Sequence, residues 1–148
     1  MVKLPPPVWT LIYVLIAAGS SALAGWPRAP SLPIPWLGIV AIIAGVALAV
    51  SAATLFRREG TEISPTSPAN AKLVTSGPFR LTRNPMYLSL VIVSLGIAIW
   101  IGAWPMLLAP AAVFATANWV HIPFEEAKMR RQFGEAYDAY TRRVRRWL

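Results

Sequence analysis

Cysteine is absent from the 148 residues, and histidine occurs once. Without thiols there is no disulfide framework, no thiolate metal site and no cysteine nucleophile, and one histidine cannot build a histidine-rich metal centre. Charge is also scarce. Charged residues make up 14% of the chain and hydrophobic residues 56%, with a mean hydropathy of +0.53, against roughly 25% charged residues in ordinary globular proteins. Only six residues are acidic and 14 are basic, for a formal net charge of +8. The basic residues flank apolar segments and form no separate basic domain, so the charge points to membrane topology and away from nucleic acid. No internal repeat and no second soluble domain is visible. The composition reads as a polytopic membrane protein, one domain over residues 1–148.

What is present in quantity is apolar sequence. Pro7 to Ala24 and Ile34 to Phe56 each approach the ~20 residues a helix needs to cross a hydrocarbon core. The run from Met86 to Val120 is interrupted by Gly102 and by Trp104-Pro105, where proline removes a donor and clashes with the preceding turn. This predicts a helical hairpin over 86–120 with its tip at that point and with arms shorter than the usual span. The expected fold is therefore all-α and integral to a membrane. It has about four transmembrane helices, the last two as a hairpin, followed by a cytoplasmic amphipathic helix over 121–148.

If the N-terminus is cytoplasmic, Lys3, Arg57, Arg58, Lys72, Arg80, Arg83 and the C-terminal basic residues all lie inside, and only Arg28 lies outside. All six acidic residues fall on the same inner side. The expected location is the cytoplasmic membrane, with both termini on the cytoplasmic face. Tryptophans 9, 26, 36, 100, 104, 119 and 147 mostly sit near span ends, as interfacial anchors do. The first segment, with Lys3 and Ala22-Leu23-Ala24, also has features of a signal peptide. Pro5-Pro6-Pro7 is a poor n-region but a reasonable helix start, which favours a retained first helix. Residues 57–70, with Glu59-Gly60, Pro65 and Pro68, show no apolar period and read as a connector.

Two polar cassettes break the apolar pattern: Leu73–Tyr87, LVTSGPFRLTRNPMY, and Glu125–Val144, EEAKMRRQFGEAYDAYTRRV. In the first, Gly77-Pro78 permits a tight turn, Arg80 and Arg83 offer fixed positive charge for a carboxylate or phosphate, and Asn84-Pro85 is a helix start with Asn84 as cap. A membrane-edge loop whose arginines meet lipid phosphates explains the same residues. In the second, Glu126, Met129, Phe133, Tyr137, Tyr140 and Val144 follow steps of three and four along one helical stripe, with Gly134 able to bend it. Either the helix is solvated, with Glu126 pairing with Arg130, or the stripe closes over the hairpin and turns Glu126 toward a ligand. Arg142, Arg145 and Arg146 suit anionic lipid. His121, at the end of the fourth span, reads as interfacial, with proton transfer as the competing role.

The order GPFRLTRNPMY, apolar hairpin, EE, FGEAY, YTRRV resembles the isoprenylcysteine carboxyl methyltransferase and phospholipid methyltransferase superfamily over about the second half of the chain. The resemblance implies an integral membrane enzyme that moves a methyl group from S-adenosylmethionine to a lipid-like acceptor, with the cofactor near the cytoplasmic face. Gly77 and Pro78 match the Gly-Pro turn. Arg83, Pro85 and Tyr87 match an Arg-His-Pro-x-Tyr element in which Asn84 replaces the histidine. Glu125 and Glu126 match paired glutamates, and Tyr137, Tyr140 and Arg143 match a terminal Tyr-x-x-Tyr-x-x-Arg-Val.

The implied cofactor set is Val74, Gly77, Pro78, Phe79, Arg83, Asn84, Pro85, Tyr87, Glu125, Glu126, Tyr137 and Tyr140, with Glu126 and Arg143 as catalytic residues and no metal. Glu125 or Glu126 would accept from ribose hydroxyls or the cofactor amino group. Tyr87 and Tyr137 would pack on the adenosine or sulfonium, and an arginine of the first cassette would meet the cofactor carboxylate. Arg143 would orient an anionic acceptor. The expected partners are the bilayer and a lipophilic substrate, possible acceptors including an isoprenylcysteine-type carboxylate. A nicotinamide-dependent membrane lipid reductase and a non-catalytic membrane scaffold are the other classes compatible with the pattern.

Overall fold

The computed structural model describes residues 4–29, 34–60 and 72–148; most of the expected connector, and Lys3, lie outside the described residues. Six α-helices follow in order: α1 (Pro6–Leu23), α2 (Pro35–Arg58), α3 (Pro85–Ile101), α4 (Leu108–Thr116), α5 (Ile122–Phe133) and α6 (Glu135–Arg143). No strand occurs among the described residues. Helices α1 to α3 each begin with proline in the first turn, where its missing N–H has no intrahelical partner to lose.

Among the described residues three helical runs are long and apolar enough to cross a membrane: α1, α2 and the continuous stretch Trp104–Phe133. Helix α3 is shorter, 17 residues, but rises about 25 Å at ~1.5 Å per residue. The protein is thus an all-helical integral membrane protein. The hairpin tip falls where expected. Helix α3 stops at Gly102, whose φ of 73° is left-handed and suits glycine. The tip then pairs with the loop after α1: the Ala29 N–H donates to the Gly102 carbonyl (2.9 Å) and the Trp104 N–H to the Pro27 carbonyl (3.1 Å). Arg28 is therefore at the opposite end of the bundle from both cassettes.

The fourth arm departs from expectation. It does not end at Val120 but continues through a π-helical turn, Ala117–His121, directly into α5. Pro123 explains the widened turn: it lacks the N–H that an α-helix would use and crowds the carbonyl of the preceding turn, and a π turn relieves both. The true break is Gly134, with φ 50° and ψ −125°, which lets α6 fold back from α5.

Helix α2 packs mainly on α3. Its buried residues are Gly38, Gly45 and Ala52, a seven-residue spacing of small residues that brings the two backbones into close contact. Helix α1 packs instead on α4 and the hairpin tip. Trp9 of α1 is not an interfacial anchor: it is buried, with its indole stacked on His121 at 5.0 Å between centroids. His121 is likewise a core residue, 1% exposed, and not an interfacial one. Local hydropathy marks both as span-end residues, and only the packing of α1 against the π turn buries them.

Candidate functional site

The two cassettes meet. Between α2, α3, α5, α6 and the start of α1 lies a cavity of about 280 Å³, open to the outside. Val74, Phe79, Arg83, Asn84, Pro85 and Tyr87 line it from the first cassette, and Glu125, Glu126, Met129, Tyr137 and Tyr140 from the second. The stripe inferred at helical spacing thus supplies a wall, except that Phe133 and Val144 do not reach it. Gly77 and Pro78 stand behind the wall in a 3₁₀ turn, Gly77–Arg80. Gly77 has a φ of 57°, so the glycine is required there by the backbone. Arg80 is exposed and does not line the cavity.

The adjacent glutamates occupy different environments. Glu126 is locked between two guanidinium groups: Arg83 Nη2 donates to Oε1 at 2.7 Å and Arg146 Nη2 to Oε2 at 2.6 Å. The Arg83 and Glu126 side chains are 13% and 12% exposed. Arg83 also donates to the carbonyls of Thr141 (3.2 Å) and Val144 (2.9 Å), which commits its terminal nitrogens and leaves Nε without a partner. Glu125 has no arginine. It accepts a 2.6 Å hydrogen bond from the Tyr87 hydroxyl, with Lys128 a turn further along α5.

The tyrosines of α6 are held neutral. Burial, followed by the charge of Glu126, pushes the Tyr137 hydroxyl up to about 12. Burial also raises that of Tyr140, whose hydroxyl donates to the Phe79 carbonyl at 2.7 Å, tying α6 to the 3₁₀ turn of the first cassette.

Besides Gly77 and Pro78, two further placements differ from the sequence reading. Arg143 is exposed, its Nε directed at the carbonyl of Ala139 on its own helix at 3.4 Å, and it does not line the cavity. The C-terminal arginine that joins Arg83 on Glu126 is Arg146, three residues on, because α6 ends at Arg143 and the chain turns back toward the first cassette. Asn84 does not cap α3 through its side chain; its Nδ2 donates to the Arg146 carbonyl at 3.0 Å.

Sequence reasoning missed the contributions of α1 and α2, where Pro6, Pro7, Ala49, Ala53 and Phe56 form the apolar side of the cavity. The small residues Ala49 and Ala53 are four apart on one helix face, a signal easily lost in a uniformly apolar helix. Lys72 and Lys128 also line the cavity.

The sequence profile described as phospholipid methyltransferase matches residues 34–136, from the start of α2 into α6. An uncharacterized protein of Haemophilus influenzae is 35% identical over 63 residues, 43% of this chain and all of the relative. With most of the chain matched and both cassettes gathered on one cavity beside membrane-spanning helices, the chain belongs to the phospholipid methyltransferase family of membrane methyltransferases.

Proposed function

We propose that the chain, as one membrane domain, transfers a methyl group from S-adenosylmethionine to a lipid-like acceptor at this cavity. The observation that carries the reading is the asymmetry of the glutamates. Glu126 is neutralised by two guanidinium groups, Arg83 and Arg146, whereas Glu125 has no guanidinium: it accepts from the Tyr87 hydroxyl, with the Lys128 ammonium acting on it from a turn along α5. A carboxylate beside tyrosine rings is suited to a cationic ligand, and the Lys128 ammonium on the cavity lining is suited to an anionic one. Both charges occur on the cofactor, so the residues fit it.

When bound, S-adenosylmethionine supplies a sulfonium-bound methyl group open to in-line displacement. Glu125 holds the positive end of the ligand through charge, with Tyr87 fixing the carboxylate by hydrogen bond. Tyr137 and Tyr140, neutral at working pH, provide ring faces. Ala49, Ala53 and Leu90 form an apolar wall that excludes water and accommodates the hydrophobic part of an acceptor. A carboxylate acceptor, such as an isoprenylcysteine-type group, is already nucleophilic and needs no base. Among the described residues His121 does not line the cavity, so it receives no role in proton transfer here.

Glu125→Gln tests the charge while keeping the shape and the hydrogen-bond acceptor. The expected result, by calorimetry in detergent, is S-adenosylmethionine affinity lower by at least about tenfold, the loss of one charge-assisted contact. Unchanged affinity removes Glu125 from the reading, and binding of a nicotinamide cofactor in its place replaces the reading altogether.

The cofactor side of the membrane is read as cytoplasmic from the distribution of basic residues. The chain has no cysteine, so single-cysteine variants at exposed Ser76 and Arg28 report topology cleanly. A membrane-impermeant maleimide added to intact cells is expected to label Arg28→Cys and spare Ser76→Cys; the opposite pattern inverts the assignment.

A further inference from the structure

Residues 144–148 turn back across the first cassette. The backbone becomes extended at Val144 (φ −125°, ψ 130°), and three of its carbonyls then act as acceptors. The Arg83 guanidinium donates to Val144 (2.9 Å), the Arg83 N–H to Arg145 (2.9 Å), and Thr82 Oγ1 and Asn84 Nδ2 both to Arg146 (3.0 Å each). Side chains fasten the segment on its other side. Arg146 grips both oxygens of Glu126, through Nη2 at 2.6 Å and Nε at 3.2 Å. Trp147 Nε1 donates to Asn118 Oδ1 at 3.0 Å, and its ring packs on Phe114 with centroids 4.8 Å apart. Asn118 Oδ1 also lies 3.5 Å from Arg146 Nη1.

Asn118 belongs to the π turn, the irregular part of the long Trp104–Phe133 run, and such turns place side chains where a regular helix does not. None of residues 144–148 lines the cavity, yet both polar walls lean on them. The first cassette has one short 3₁₀ turn and no ladder of its own, so the Thr82 hydroxyl, the Arg83 N–H and the Asn84 amide find their acceptors in the tail.

We propose that Asn118 and Arg146 are positioning residues. Residues 144–147 form a latch, docked on the π turn, that holds the first cassette and Glu126 in place and thereby sets the affinity of the cavity for its ligand. Only the affinity clause rests on the S-adenosylmethionine reading. The latch lies beyond the residues matched by the family profile and is a property of this chain's own geometry.

The experiment compares Asn118→Ala and Arg146→Lys with Arg142→Gln, a change at an exposed neighbour, in the full chain in detergent. Hydrogen exchange is followed for peptides covering 73–87 and 140–148, alongside S-adenosylmethionine affinity. In Asn118→Ala, both peptides are expected to exchange about tenfold faster, a local opening with the helical core still protected. Arg146→Lys, which keeps the charge but loses the two-pronged grip, is expected to fall between Asn118→Ala and the unaltered chain, and Arg142→Gln to match the unaltered chain. Ligand affinity should fall in step with exchange at 73–87, and saturating ligand should restore protection. Faster exchange of the tail with 73–87 unchanged makes the tail a simple anchor and overturns the proposal, as does an unaltered tail in Asn118→Ala. Absence of S-adenosylmethionine binding in the unaltered chain defeats the cofactor reading alone, and the exchange of 73–87 still decides the latch.

Discussion

Replacing Glu126 with alanine is expected to destabilise the protein by about 3 kcal/mol, because removing one partner of a buried ion pair leaves the other charge uncompensated. Arg83, 13% exposed on its side chain, is the group left behind. It keeps two carbonyl acceptors, Thr141 and Val144, which places the cost at the lower end of the usual ~3–5 kcal/mol range. Arg146 is 35% exposed, and solvent screening leaves it a small share of the loss. Glu126→Gln retains an acceptor and is expected to cost less than Glu126→Ala.

A double replacement gives the sharper measurement. With Arg83→Met and Glu126→Met together no buried charge is left unpaired, only the more exposed Arg146, so the pair should cost less than the two single changes summed. Unfolding monitored by SDS titration in detergent micelles provides the comparison. Additive costs, or a stable Glu126→Ala protein, mean that the Arg83–Glu126–Arg146 cluster does not hold the cassettes together. In the same cluster both oxygens of Glu126 accept from guanidinium donors.

The second large effect lies at the α2–α3 contact. A methyl group added at Gly38 would stand 2.5 Å from both the Gly96 carbonyl oxygen and the Trp100 nitrogen, and one at Gly96 would stand 2.7 Å from the Gly38 carbonyl oxygen. These obstacles are backbone atoms, so no rotamer change relieves them and the helices must separate. Overpacking of this kind costs about 1–3 kcal/mol and at times more. Gly38→Ala and Gly96→Ala are expected at or above the top of that range. Gly45→Ala should be milder, because the backbone atoms it would meet, the Ser89 carbonyl oxygen and the Val93 nitrogen, stand farther off, at 3.0 and 3.1 Å, although the Val93 Cγ2 at 2.7 Å must also shift. Gly19 has nothing within 4 Å, and alanine there is expected to stabilise α1 by up to about 1 kcal/mol through helix propensity.

The double variant Gly38→Ala/Gly96→Ala should cost less than the two single changes added together, since helices already pushed apart accommodate the second methyl. Strict additivity, or a silent Gly38→Ala, argues against the close backbone approach. Ligand affinity should fall with stability in these variants. Helix α2 carries Ala49, Ala53 and Phe56 into the cavity, and its displacement opens the apolar wall.

Much of the architecture was legible from local chemistry. The two N-terminal spans follow from apolar runs bounded by proline and arginine. The hairpin tip follows from Gly102 and Trp104-Pro105, and the helix start at Pro85 from Asn84-Pro85. Two expectations depended on ties between distant residues and went differently. Arg143 sits at the position that the terminal motif indicates, yet α6 ends there with Arg143 exposed, and Arg146 is the C-terminal arginine that pairs with Glu126. Trp9 and His121 look like residues at a membrane interface and instead form the core beneath Tyr87, which contacts His121 at 6.0 Å between ring centroids.

By itself the sequence determined the membrane class, the positions of the helix breaks and the residue types of the two cassettes. Each is a property of a local window, whether of hydropathy, proline and glycine punctuation or helical spacing. Only the tertiary structure decided which glutamate is neutralised and which is left without a guanidinium, which arginines do the neutralising, and that α1 and α2 supply the apolar wall. Those outcomes depend on contacts such as Arg83 with Glu126, 43 residues apart, and Tyr13 with Thr116, 103 apart. Helical periodicity limits which face a residue occupies, but the folded chain selects which other face it meets.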